Sequence, residues 1–292
     1  MKVKLSLIIV SYNSAEILMQ CLDSVFKYND IGSQLEVIVS DNSPSRDVCV
    51  AVNNKYGQVK VIHNKYNRGF GYGNNQGERI ASGDYLLFLN PDTVLVEPIF
   101  SWAIEQFEMN PQLALFGVKL LKPDYSLNNS FMWLDTFGLK AWILNKSCQK
   151  LDLFIGKKMF ISGADTFIRK KIFEQAGGFD ENIFMYYEES DLHHRIYAKN
   201  HDISIAYFPD KRIVHLEGGT QKIGNGSVKT YKRQLNTFMY YCDKYHIDFK
   251  RALNSEISLY KLKKIKHKLF RQYDKYNMIC KIISAANDKL EQ

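Results

Sequence analysis

No apolar run in this chain approaches the roughly 20 residues that a membrane-spanning helix needs, so no span is expected. The stretch Leu5–Val10 is too short for the core of a signal peptide. Cysteines are few and scattered. Cys21, Cys49, Cys148, Cys242 and Cys280 are odd in number and form no close pair of metal-ligand spacing, which argues against a disulfide framework and for a reducing compartment. The chain is therefore expected in the cytoplasm, free or on the cytoplasmic face of a membrane. Nucleotide-binding glycine strings are also missing. No Gly-x-x-x-x-Gly-Lys-Ser/Thr run exists, which removes P-loop kinases and ATPases. Gly69-x-Gly71-x-x-Asn74 lacks the third glycine of a dinucleotide fingerprint and follows the third strand-like segment instead of the first, which removes hydride transfer. There is no internal repeat, no low-complexity linker and no nucleic-acid-binding module, so nucleic acid is not expected as a partner.

What is present is an alternation. Leu5–Val10, Glu36–Ser40, Val59–Ile62 and Tyr85–Leu89 read as strands, each followed by polar loop residues. Between the first two, Ile17, Leu18, Cys21, Leu22 and Val25 recur at helical spacing, with Asn13 and Glu16 in capping-box spacing ahead of them. Strands alternating with helices predict an α/β fold with a mainly parallel sheet whose polar loops gather on one edge. Tyr12, Asp41, Arg68 and Asp92 should converge there. Asp92 is the most informative of them. The run Asp84–Leu89 delivers it onto the turn Asn90-Pro91-Asp92, where proline must end the strand, and that edge is where open α/β sheets bind ligands.

Further along, Glu188, Glu189 and Asp191 crowd a probable helix start, where the helix dipole favours acids and Asp191 can pair with Arg195 four residues on. Crowding raises the affinity of each carboxylate for protons, which suits a general base. His193 and His194 make no His-Glu-x-x-His zinc site and read as surface or acceptor-side residues. The segment from 124 to 158, with Trp133 and Trp142, either shapes an acceptor groove or packs.

Charge is distributed unevenly. Residues 229–292 carry 15 Lys and Arg against 6 Asp and Glu, a net of +9, whereas residues 1–228 carry 24 against 25, a net of −1. The boundary predicts one α/β domain over 1–228 and a basic helical extension over 229–292. In the extension Leu262, Ile265, Leu269 and Phe270 form a narrow apolar stripe in a field of lysines, suited either to an anionic membrane surface or to packing on the α/β domain.

In this order, Ile8–Asn13, Val39–Ser43, Asn67–Asn75, Gly83–Asp92, Gly177–Asp180, Tyr186–Leu192 and His215–Gly219 resemble the inverting family 2 glycosyltransferases of GT-A fold. The resemblance is strongest to rhamnosyltransferase-like members that build bacterial surface polysaccharides, and it spans Leu5 to Gly219. It implies a GT-A domain with a nucleotide-sugar half over about 1–120 and an acceptor half over about 121–228. It further implies transfer of rhamnose or a hexose from a dTDP- or UDP-sugar to a lipid-linked glycan, in O-antigen, lipopolysaccharide or capsule synthesis.

By the same resemblance Asp92 and His215 would hold a divalent cation, Mn2+ or Mg2+, the imidazole favouring manganese. The family usually writes the turn as Asp-x-Asp. Here Asn90 is a neutral donor, which implies weaker metal binding. Asp41 would read the imide N–H of uracil or thymine, with Tyr12 beside the base and Arg68 near the diphosphate. Asp165 would lie near donor sugar or acceptor. Glu189 stands at the position of the family's base, with Glu188 its rival. Two other classes share parts of this pattern. A sugar nucleotidyltransferase would need a glycine-rich triphosphate loop that Ser11–Ser14 does not provide, and a non-catalytic binding module would tolerate loss of both glutamates.

Overall fold

The computed structural model describes residues 2–199, 202–216 and 228–291. Its first strands form where apolar residues run unbroken. β1 (Leu5–Ser11) and β4 (Tyr85–Leu89) are buried at every position, as expected of central strands covered on both faces. β2 (Leu35–Asp41) lies beside β1, and β3 (Lys60–His63) is the more exposed edge. Helices α1 (Ala15–Lys27), α2 (Asp47–Lys55) and α3 (Phe70–Ile80) supply the crossovers.

The expected capping box at the start of α1 does not form. Ser14 occupies the cap, its hydroxyl lies 2.9 Å from that of Ser11, and Asn13 sits at φ 51° with its N–H donated to the Ser43 hydroxyl. The local loop-to-loop bond wins over the cap. The glycine-rich stretch is helix from Phe70 onward. Gly69, at φ 102°, must be glycine, because a Cβ there would fall 1.9 Å from the Phe184 carbonyl oxygen.

The chain continues through β5 (Thr93–Leu95), α4 (Phe100–Met109), β6 (Leu113–Leu121), β7 (Phe131–Trp133), α5 (Gly138–Lys150), β8 (Met159–Ile161) and β9 (Asp165–Arg169). α6 (Lys170–Ala176), α7 (Glu188–Lys199) and β10 (Ser204–His215) complete the α/β body. Among the described residues one sheet has eight strands in the order β3-β2-β1-β4-β9-β6-β10-β5, and β7 pairs with β8 in a second, two-stranded sheet. Within the eight-stranded sheet β9 and β5 run antiparallel to their neighbours and the other pairings are parallel, while β7 and β8 pair antiparallel. The order puts β5 four places from β4, about 19 Å on a flat sheet, yet the four residue steps from Leu89 to Thr93 reach at most about 14 Å. The sheet is therefore curled, and the Asn90–Asp92 turn crosses its concave side.

Alternate residues of β1 divide between two cores. Leu5, Leu7 and Ile9 join one and Ile8 the other, the period-two signature of a sheet packed on both faces. A third core belongs to the C-terminal helices α8 (Val228–Lys244), α9 (Phe249–Leu269) and α10 (Tyr273–Glu291). Leu235, Phe238, Cys242, Leu253, Ile257 and Ala286 meet there, with Phe137 and Tyr187 of the α/β body packed against them. The architecture is a GT-A-like mixed α/β fold with a basic helical C-terminal extension.

Candidate active site

The turn after β4 and the end of β10 bring Asp92 and His215 together. Thr93 pairs with His215 in the β5–β10 ladder, and Leu216 donates its N–H to the Asp92 carbonyl at 2.8 Å. The His215 Nε2 then lies 3.2 Å from Asp92 Oδ1. Asp92 is buried and His215 is partly exposed. The side chain of Asn128 lies 3.4 Å from the other ring nitrogen of His215 and helps set the ring's orientation. No sequence signal marked Asn128, which stands 87 residues away. A carboxylate and an imidazole, side by side and reachable from solvent, fit a divalent ion of borderline softness such as Mn2+. Residues Glu217, Gly218 and Gly219 of the same motif lie outside the described residues.

Glu188 and Glu189 open α7 and differ in setting. Glu188 is 4% exposed, and its Oε2 has no hydrogen-bond partner. Burial, reinforced by the Glu189 charge, pushes its pKa well above the usual carboxylate range. Glu189 is only partly buried, accepts the Gly163 N–H at 3.0 Å on Oε1, and is also raised, chiefly by burial. A Cβ at 163 would come 2.5 Å from that oxygen, so a larger residue there would displace the carboxylate. The next residue, Ala164, accepts the Asn90 N–H at 3.1 Å. Two consecutive residues thus tie the Asn90–Asp92 turn to Glu189.

Asp41 ends β2 fully buried, and both its oxygens are engaged. Oδ1 accepts the Ser43 N–H at 3.0 Å and the Ser43 hydroxyl at 2.5 Å, and Oδ2 lies 3.4 Å from both the Cys49 thiol and the His63 ring. A base reaching Asp41 has to share these contacts. The ligand atoms of Asp41, Cys49 and His63 lie within 4.8 Å of one another, a grouping not anticipated from the cysteine spacing. Burial and the Asp41 charge push the Cys49 thiol up to about 11, so at neutral pH it is a protonated donor and the trio is a hydrogen-bonded support for Asp41. Tyr12 is half-buried immediately after β1.

Other candidates are placed differently from expectation. Arg68 lies 3.4 Å from Glu181 and stacks over the Tyr72 ring, so contact with a diphosphate requires exchange of that partner. Asp165 does not line an open pocket. It is fully buried at the start of β9, its Oδ2 accepts the Val118 N–H at 2.7 Å, and burial raises its pKa well above the usual carboxylate range. His193, read as a surface residue, is 3% exposed, and burial together with His194 lowers its pKa to about 3. The position on the inner face of α7 decides this, because His193 follows the buried Leu192 and packs on Tyr197.

The profile of Glycosyl transferase family 2 matches residues 6–177. The chain is 22% identical over 228 residues to O-antigen biosynthesis protein RfbC of Myxococcus xanthus, a match covering 75% of this chain and 18% of that one. It is 23% identical over 205 residues to an N-acetylglucosaminyl-diphospho-decaprenol L-rhamnosyltransferase of Mycobacterium tuberculosis, covering 62% and 66% of the two chains. It spans between 16% and 36% of the length of three further curated relatives. Among solved structures, a mannosyltransferase of Pyrobaculum calidifontis in complex with GDP-Man and Mn2+ superposes with a TM-score of 0.63 at 15% identity, covering 99% of this chain and 88% of that one, which shows the shared fold.

Proposed function

Since the chain belongs to glycosyl transferase family 2, we propose that it is an inverting glycosyltransferase acting on a dTDP- or UDP-sugar. Rhamnose or a hexose would pass to a hydroxyl of a lipid-linked glycan during assembly of a surface polysaccharide such as O-antigen, lipopolysaccharide or capsule. The observation that carries this reading is the two-residue bridge. Gly163 orients Glu189 while Ala164 holds the Asn90–Asp92 turn, so a cation-binding pair and a raised carboxylate share one strap of backbone.

Asp92 and His215 are the residues to hold a divalent ion, which would neutralise charge on the departing diphosphate. Asp41, braced by Ser43 and Cys49, presents a fixed acceptor for the imide of the base, with Tyr12 beside it. Glu189 takes the proton of the acceptor hydroxyl as that oxygen bonds to the anomeric carbon, and the bond to the diphosphate breaks with its electron pair leaving on the phosphate oxygen. Glu188, buried beside Glu189, has its pKa raised by burial and by the Glu189 charge, which disfavours a second negative charge in the site.

The acceptor reading draws on the relatives named for O-antigen and decaprenyl-linked synthesis and on the extension's surface. Leu262, Ile265, Leu269 and Phe270 are 48%, 57%, 74% and 68% exposed, surrounded by lysines, which suits an anionic bilayer surface on the cytoplasmic side. Among the described residues no helix is long and apolar enough to cross a membrane.

Calorimetry with nucleoside diphosphates and their sugars, with Mn2+, Mg2+ or chelator, tests the proposal on wild type and Asp92→Ala. Ion-dependent binding of a uridine or thymidine nucleotide, lost in the variant, is expected. Absence of binding across the panel overturns the reading.

A further inference from the structure

Immediately before Glu188 the backbone is strained. Tyr186 and Tyr187 both sit at positive φ, 68° and 73°, a conformation costly for bulky side chains and kept only where surroundings impose it. Those surroundings are helix α8. The Tyr187 ring stacks on Phe238 at 5.1 Å and meets Tyr241 at 4.9 Å, and the Tyr186 hydroxyl hydrogen-bonds Gln234. On the other side of the glutamates, α8 holds Asp191, which is fully buried. Lys244 lies 2.5 Å from its Oδ1, the Tyr245 hydroxyl donates to the same oxygen at 2.7 Å, and Arg195 of α7 donates to Oδ2 at 2.9 Å. Lys244 also reaches Asp180 at 2.6 Å, which accepts the Tyr240 hydroxyl at 2.8 Å as well. Burial is the largest influence on Asp180 and opposes its ionisation, but hydrogen bonds from Lys244, Asn182 and Tyr240 together outweigh it and hold the pKa down to about 2.

We propose that α8 is a working part of the acid–base site, with Lys244 and Tyr245 as positioning residues that clamp the first turn of α7 and set the charge felt by Glu188 and Glu189. The inference rests on the reading of these glutamates as the acid–base pair. A chain of three acids in one turn, Glu188, Glu189 and Asp191, needs counter-charge, and only Arg195 comes from α7 itself. Lys244 supplies the rest from α8; the family profile ends at residue 177, ahead of both helices. Other titratable groups packed round this turn include His194, which pairs with Asp135, Tyr241, which also donates to Asp135, His193 on α7 itself, Tyr186 and Tyr187 just before it, and Glu256 facing Tyr187.

Lys244→Met removes the cation while keeping the stem. Asp191, left with Arg195 as its one cationic partner among the described residues, then disfavours ionisation of the glutamates, and the acid limb of the kcat profile moves to higher pH by about half a pH unit or more. The donor KM stays unchanged, and Lys244→Arg restores the wild-type limb. The carboxyl carbons of 13C-labelled Glu188 and Glu189 should titrate at correspondingly higher pH in Lys244→Met, a measurement that needs neither donor nor acceptor and so stands apart from any failure of the transferase reading. If Lys244→Met does not fold, Tyr245→Phe, which removes one hydrogen bond, gives a smaller shift of the same sign. Loss of activity with an unmoved limb and unmoved carboxyl titrations reduces α8 to a packing element and overturns the proposal.

Discussion

Two acidic sites lie along one sheet edge and are built in opposite ways. Asp92, itself buried, has the partly exposed imidazole of His215 3.2 Å away, whereas Glu188, equally buried, lies beside other carboxylates with one oxygen lacking any partner. A carboxylate beside an imidazole favours its charged form and can share a cation. A carboxylate withdrawn from water among like charges favours the proton. The same functional group therefore suits cation binding in one place and proton transfer in the other, and the difference comes from packing alone.

The sharpest way to break this contrast is Glu189→Gln. Transfer is expected to fall by about 10²- to 10⁴-fold, the usual contribution of a general base, while calorimetric nucleotide binding stays as in wild type. An equal loss in Glu188→Gln with none in Glu189→Gln would exchange their roles.

At the other site, Asn128→Leu removes the side chain that orients His215. Loss of such an outer partner costs about tenfold or more in metal affinity, measured as the Mn2+ dependence of nucleotide binding. No change would mean that His215 needs no such orientation, or binds no ion.

A smaller effect separates the sites by stability. The folded pKa of Glu188 is raised above its unfolded value near 4.5, so the folded state holds the proton more tightly and stability falls as pH rises through the interval between the two values. Glu188→Gln cannot ionise. It should melt at higher temperature than wild type at neutral and alkaline pH, with the gap closing below about pH 4.5. A variant less stable than wild type at pH 8 would show that the carboxylate is held ionised.

The smallest effect falls on the extension. Leu269→Asp places a charge in the exposed stripe and should weaken cosedimentation with phosphatidylglycerol vesicles several-fold, while neutral phosphatidylcholine vesicles bind neither form. Each lysine near such a surface contributes about 1 kcal/mol, so added salt should act in the same direction as the substitution. Equal binding to both lipids would assign the stripe to another surface.

The parallel strands and their order of loops were legible because each central strand is a continuous apolar run ended by Asn, Asp or Pro. Asp41, Asp92 and the glutamates could be found for the same reason, since they follow such boundaries directly. Gly163, Asn128, Lys244 and Tyr245 could not, because their partners lie 26 to 87 residues away and nothing in spacing links them. Burial misled in the remaining cases. Asp165, expected near donor sugar or acceptor, and His193, read as a surface or acceptor-side residue, are both interior once the sheet curls and α7 packs.

Hydrophobic period, turn chemistry and the shift of charge at residue 229 are local properties, and they determined the α/β class, the loop edge and the basic helical tail. Whether a carboxylate is an ion or an acid depends on which distant groups surround it after folding. Only the tertiary structure decided that Asp92 faces His215, that Glu189 hangs on Gly163, and that Lys244 of the last helical unit stands behind the glutamates, because desolvation and counter-charge are set by neighbours in space and not in sequence.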